Sequence, residues 1–301
     1  TKVIDLPATP VKDQSSSGTC WSYATTSFIE SELIRLTGDT FDLSEMFSVH
    51  KAYEAKARHY VRLHGLANFG EGGQAHDVMN VIKEYGLMTE AAYSGLANGQ
   101  TKPAHGEMAA LLEAMVGAIS KNPAGKLSPE WSSSISAVLD VYLGKIPATF
   151  GTPATTPLEF AKKINPDDYV EITSYTHHPY YSSFSLEVPD NWAGGNYYNV
   201  PPDELVQIMD FALSKGFTVD WDGDVSDKGF SHKNGVAIVP EVSIENMNGT
   251  ERTKWEKLTE KERRTQFYTF EKPVPEKIIN PETRQAAFDN FSATDDHLMH
   301  I

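Results

Sequence analysis

Apolar residues recur at helical spacing through the first half of the chain. Ala24, Phe28, Ile29 and Leu33 fall on one side of a run closed by Gly38, which predicts a helix beginning at or near Cys20. Leu43-Ser44-Glu45-Met46 has the form of a second start, with Ser44 as N-cap and Glu45 in the first turn, and its pattern continues through Tyr53 and Tyr60. A glycine-rich loop, Asn-Phe-Gly-Glu-Gly-Gly-Gln over 68–74, precedes a third helix that ends at Tyr85 with Gly86 as its C′ residue. After a loop over 95–106, Met108, Leu111, Leu112, Met115, Val116 and Ile119 mark another helix. The stretch 123–129 breaks that pattern, and 135–143 predicts helix again.

The period then changes. Residues 147–157, rich in Thr, Pro and Gly, predict a connection. Beyond Asp167 the segments 169–175, 184–188 and 217–221 predict strands, with Leu205, Ile208, Met209, Ala212 and Leu213 forming a helix between the last two. The densely charged stretch 251–264 predicts a solvated helix or a mobile insertion. No internal repeat is visible. The expected organisation is a mainly helical part over 1–150 and a strand-rich part over 151–301, an α+β chain.

With 40% hydrophobic residues, 301 residues can bury a substantial core. The formal charge of −15 disfavours nucleic acid, whose affinity rests on Lys and Arg meeting phosphates. No apolar run approaches the roughly 20 residues that cross a bilayer, so no membrane partner is expected. The chain opens at Thr1 rather than Met, and the expectation is that leader residues preceded it.

Cys20 is the only cysteine, so it forms no internal disulfide and acts through packing or reactivity. The loop Asp13-Gln14-Ser15-Ser16-Ser17-Gly18-Thr19 runs directly into the first helix. A helix N-terminus favours a thiolate, and the Gln14 amide is placed to aim an N–H at a developing oxyanion. The end of the chain, Asp295-Asp296-His297-Leu298-Met299-His300, supplies a candidate base in His297. His297 and His300, three apart on a strand, face opposite sides, so no shared metal and no cofactor are expected. His177-His178 before Pro179 reads as a loop pair rather than a ligand pair, and His76 as a cap for the helix after the glycine loop.

Gln14…Cys20-Trp21-Ser22 resembles the nucleophile segment of papain-like cysteine peptidases, and Leu43-Ser44-Glu45, Glu71-Gly72-Gly73 and Asp296-His297 follow in that family's order. The strings Asp220-Trp221-Asp222-Gly223-Asp224-Val225-Ser226 and 284–301 resemble more narrowly the bleomycin hydrolase and aminopeptidase C branch. The resemblance implies a two-lobe papain-like fold, a helical lobe carrying Cys20 and a β-barrel-like lobe carrying His297. It implies a thiol aminopeptidase acting on free peptide N-termini through an acyl-thioester, and assembly as a homohexamer.

In that resemblance Cys20 is the nucleophile, His297 its acid–base partner, and Gln14 with the Cys20 backbone N–H the oxyanion hole. Gly18, Trp21, Gly72, Gly73 and Asp296 line the substrate side. Two departures stand out. Ser17 occupies the position where secreted members carry a second cysteine, and the chain stops at Ile301 before the Asn that orients the family's His. The expectation is a natural protein longer than this sequence. A catalytically inactive papain-like peptide-binding scaffold is the alternative. Cytoplasmic and bacterial exported or periplasmic locations remain equally open.

Overall fold

In the computed structural model the first helix, α1 (Cys20–Thr37), stops where Gly38 enters the left-handed region at φ 78° and its N–H bonds the Ile34 carbonyl at 2.8 Å. The structure describes residues 4–122, 125–241, 257, 259, 268–270 and 273–301. The predicted charged stretch 251–264 lies outside them except for residues 257 and 259.

Local chemistry sets the next helices. The Ser44 hydroxyl accepts from the Phe47 N–H at 3.0 Å and starts α2 (Glu45–Arg62). A reciprocal capping box between Gln74 and Asp77 starts α3 (Ala75–Tyr85), so the cap is Gln74 and not His76. His76 instead bonds Glu171 through both its ring and its backbone N–H. The predicted fourth and fifth helices are α4 (Gly106–Ser120) and α5 (Glu130–Leu143), the latter beginning five residues earlier than its apolar pattern implied. That first turn, Glu130 to Ser134, presents no buried apolar side chain, which hides it from periodicity.

The core is built around α1. Trp21, Ile29 and Leu33 are buried with Phe47, Val49, Val78, Leu112, Val116 and Leu139. Full burial of such side chains is worth about 1.5–3 kcal/mol each. Glu30 and Glu32, both on α1, are buried too, and each has partners. Glu30 accepts from Thr9 and from the Leu43 N–H; Glu32 pairs with Arg35 and accepts from the Tyr169 hydroxyl.

After the short helix α6 (Pro157–Phe160), β1 (Ile172–Thr173), β2 (Ser183–Ser185) and β3 (Asn196–Asn199) form one sheet with order β1-β3-β2. β3 runs parallel to β1, with Ile172 opposite Tyr198, and antiparallel to β2, with Phe184 opposite Tyr197. The strands predicted over 169–175 and 184–188 are thus shorter and displaced, and the central strand was not predicted. The expected helix is α7 (Pro202–Ser214). β4 (Asp220–Gly223), a few residues beyond the predicted 217–221, pairs with β7 (His297–His300).

The chain divides into two compact units, Thr1–Asp222 with His297–Ile301, and Gly223–Asp296. The second unit holds the antiparallel pair β5 (Phe230–Ser231) and β6 (Val236–Ala237), and α8 (Pro281–Asp289), capped by Asn280.

Candidate active site

The loop before Cys20 is fastened from several directions. Ser17 Oγ donates to the Gln14 carbonyl at 2.7 Å, and Gln14 Nε2 donates back to the Ser17 carbonyl at 2.8 Å. The loop also bonds the 103–105 segment: Ser16 N–H donates to the Pro103 carbonyl and His105 N–H to the Ser16 carbonyl. Gly18 N–H donates to the Glu71 carboxylate at 2.7 Å, and the Trp21 indole N–H donates to the Glu71 carbonyl at 3.0 Å. A Cβ on Gly18 would lie 2.7 Å from that of Glu71, so the approach needs glycine.

The glycine loop packs against this base. Gly73 lies so close to Trp21 that a Cβ there would sit 3.0 Å from the indole ring. Gly72 lies against the Asp190 carboxylate, where a Cβ would fall 1.9 Å from Oδ2. Asn68 Nδ2 holds Asp190 at 3.2 Å and the Pro189 carbonyl at 3.0 Å. Beneath the loop, the buried Lys56 on α2 donates to the carbonyls of Gly70 and Gly72. Burial pulls its pKa down to about 8 against the pull of Asp77, Asp190 and Glu71.

The third wall is the β4–β7 pair, which lies along α1. Thr25 Oγ1 donates to Asp220 Oδ2 at 2.6 Å, and Ser27 Oγ shares a hydrogen bond with His300 Nδ1 at 2.9 Å. The backbone N–H groups of Leu298 and Trp21 face the Cys20 thiol and favour its anion. Leu298 follows His297 directly, so the strand that carries the candidate base meets the candidate nucleophile. Burial pushes the Cys20 thiol up, the two N–H groups pull it down, and the carboxylates of Asp222 and Asp190 push it up further, for a net rise.

Residues 4–129 match the family described as "Papain family cysteine protease". That stretch contains the predicted nucleophile segment and the glycine loop. The chain is 23% identical to aminopeptidase G of Lactobacillus delbrueckii subsp. lactis over 269 residues, covering 73% of the chain and 60% of the relative. It is 23% identical to the mitochondrial cysteine proteinase 1 of Saccharomyces cerevisiae over 256 residues, covering 69% of the chain and 53% of the relative. Among solved structures, PepW of Lactobacillus rhamnosis superposes with a TM-score of 0.70 at 17% identity, over 100% of the chain and 71% of PepW. These likenesses bear out the papain-like resemblance expected from the nucleophile segment, the branch expected from 220–226 and 284–301, and the α+β papain-like fold. The chain spans 53–60% of the length of the two curated relatives.

Of the sequence-predicted residues, Gln14 and Gly18 lie in the loop before α1, Cys20 and Trp21 in its first turn, and Gly72 and Gly73 in the glycine loop, whose Glu71 bonds Gly18 and Trp21. His297 begins β7. Asp296 has local work in the second unit, where its carboxylate accepts from the N–H groups of Val225 and Ser226 at 2.8 and 3.0 Å. His300 bonds Ser27 and packs edge-on to Phe28.

Sequence reasoning missed Lys56 and Asp190. Lys56 carried a usable signal, since it falls at an inward position of α2 among Val49, Ala52, Tyr53 and Ala57. A lysine on that face implies a partner to satisfy it. Asp190 carried none, because its neighbours Gly72 and Asn68 are remote in sequence.

Proposed function

We propose that this chain is the peptidase portion of a thiol aminopeptidase. Cys20 attacks the carbonyl carbon of a peptide bond, and the electron pair moves to oxygen. The Cys20 backbone N–H and the Gln14 amide, whose second N–H is not used in the bond to Ser17, stabilise that oxyanion. His297 receives the thiol proton and delivers it to the departing amine as the C–N bond breaks. Water, deprotonated by His297, then hydrolyses the acyl-thioester and regenerates the thiol.

The observation that carries this reading is the packing of β7, the strand that opens with His297, along the helix that opens with Cys20, fixed by the Ser27–His300 hydrogen bond. Because burial and two carboxylates push the Cys20 thiol up, the nucleophile needs a base to take its proton, the part this reading gives to His297. The preference for free N-termini is supported by Asp190, an anion set against Gly72 where an extended peptide would add to the loop. A substrate α-ammonium would pair with it. Assembly as a homohexamer rests on the family resemblance, and sedimentation velocity tests it.

The deciding experiment is the rate of iodoacetamide alkylation of Cys20 against pH. An isolated thiol titrates near 8.5, whereas an imidazole-paired one stays reactive to about pH 4–5. Rapid alkylation at about pH 5 that vanishes in His297→Ala supports the peptidase. A rate that collapses below about pH 8 in the wild type favours the peptide-binding scaffold.

A further inference from the structure

The loop after β1 carries His177 and His178, and Glu187 lies two residues beyond the end of β2. In sequence the histidines look like a turn; in the fold they converge on one carboxylate. His177 Nε2 lies 3.0 Å from Glu187 Oε2, and His178 Nε2 lies 3.0 Å from Oε1. One donor atom from each of the three residues falls within 4.8 Å of the others.

We propose that His177, His178 and Glu187 form a binding site for a divalent transition-metal ion of the Zn²⁺ type. Two imidazoles and a carboxylate are a borderline-soft donor set that suits such an ion, and hard ions such as Mg²⁺ prefer all-oxygen shells. Ligands at about 2.0–2.2 Å in a tetrahedral arrangement stand roughly 3.3 Å apart, so side-chain adjustments of an ångström or less bring these three into place. The site is at the surface, which gives an ion a way in and leaves a fourth position for water.

The supports are already fixed. The buried Asn199 accepts from the Tyr175 N–H at 2.9 Å and donates to the carbonyls of Tyr175, His178 and Pro179, which sets the loop backbone. The His178 ring stacks on Phe184 at 4.1 Å between centroids, and the His177 ring stands edge-on to the same phenyl at 5.5 Å. A ligand set held this way loses little rotamer freedom on binding. The bound ion would clip the 175–179 loop to the strand end, a structural role that does not depend on Cys20.

The test is a titration of Zn²⁺ into the protein by calorimetry, with Cys20 first carboxamidomethylated so that the thiol takes no metal. The expected result is one Zn²⁺ per chain with micromolar affinity. Glu187→Gln and His178→Ala each weaken it by at least about tenfold, and Glu187→His, which keeps a donor, retains it. The melting temperature rises with Zn²⁺ in the wild type and stays fixed in Glu187→Gln. Absence of binding by the alkylated protein at about 100 μM Zn²⁺, or unchanged affinity in both weakening variants, would overturn the site and leave ordinary His–Glu ion pairs.

Discussion

The carboxylate of Glu71 accepts the backbone N–H of Gly18 at 2.7 Å, across 53 positions of sequence, while the Glu71 carbonyl accepts the indole N–H of Trp21 at 3.0 Å. One residue thus ties the glycine loop to both sides of Cys20. Glu71→Ala removes the first bond and keeps the second, since the carbonyl is backbone. The expected cost is about 0.5–1.5 kcal/mol of stability, since water can reach the freed Gly18 N–H, together with slower alkylation of Cys20 as the Gly18 turn loosens. Glu71→Gln, which keeps an acceptor, should recover most of both losses. Urea unfolding and iodoacetamide kinetics on the same preparations measure the two effects.

Lys56→Met leaves the carbonyls of Gly70 and Gly72 without their donor and keeps the volume of the side chain. Each buried acceptor left unmade costs about 1–3 kcal/mol, so a loss on the order of 2–5 kcal/mol is expected. In the peptidase reading the glycine loop holds substrate, and KM should rise more than kcat falls. An unchanged unfolding midpoint in Lys56→Met would show that the lysine is not what holds the loop.

Asp190→Asn keeps the shape at Gly72 and the Asn68 contact while removing the charge. Loss of one member of a buried charge pair is worth about 2–5 kcal/mol. The expected result is a fall of at least about tenfold in kcat/KM for peptides with a free N-terminus, with little change for N-acetylated ones. Equal losses on both substrates would detach Asp190 from N-terminal recognition. Gly72→Ala should impair both, because its Cβ would strike the Asp190 carboxylate.

Asp220 on β4 is half-buried with its Oδ1 shut off from solvent, and this desolvation pushes its pKa up to about 7, with the Thr25 hydroxyl pulling back and Asp222 and Glu171 adding to the rise. An acid whose folded pKa exceeds its unfolded value of 3.8 favours the folded state at low pH. That contribution is complete below about pH 4 and is lost as pH rises through about 7, by up to about 4 kcal/mol. Asp220→Asn keeps a Thr25 partner and cannot ionise. Its melting temperature relative to wild type should therefore climb between pH 5 and 8, and a constant difference across that range would refute the assignment.

The helical part was legible because its signals are local. Gly38 requires a left-handed φ, Ser44 caps its own helix, and Cys20 opens α1 where a small-residue loop meets the apolar period. β3 was not legible. Its residues Asn-Tyr-Tyr-Asn show no apolar alternation, and the strand exists because β1 and β2 pair with its two edges. Strand 169–175 shrank to two residues because Asn199 Oδ1, a side chain, takes the Tyr175 N–H that a ladder would have used. In the site, motif residues were readable by kind and spacing, whereas Lys56, Asp190 and the His177–His178–Glu187 cluster arise from contacts that only folding creates.

The pairing of α1 with β7 also sets a clock. Ser27 and His300, bonded across that contact, are 273 positions apart. At synthesis rates of about 5–20 residues per second, roughly 15–60 s pass between the emergence of the two. During that interval the growing chain carries its thiol without the strand that packs against α1, and closing so long a loop is a late, slow step. In the peptidase reading, chain order alone withholds the acid–base partner His297 from Cys20 until the last residues are made.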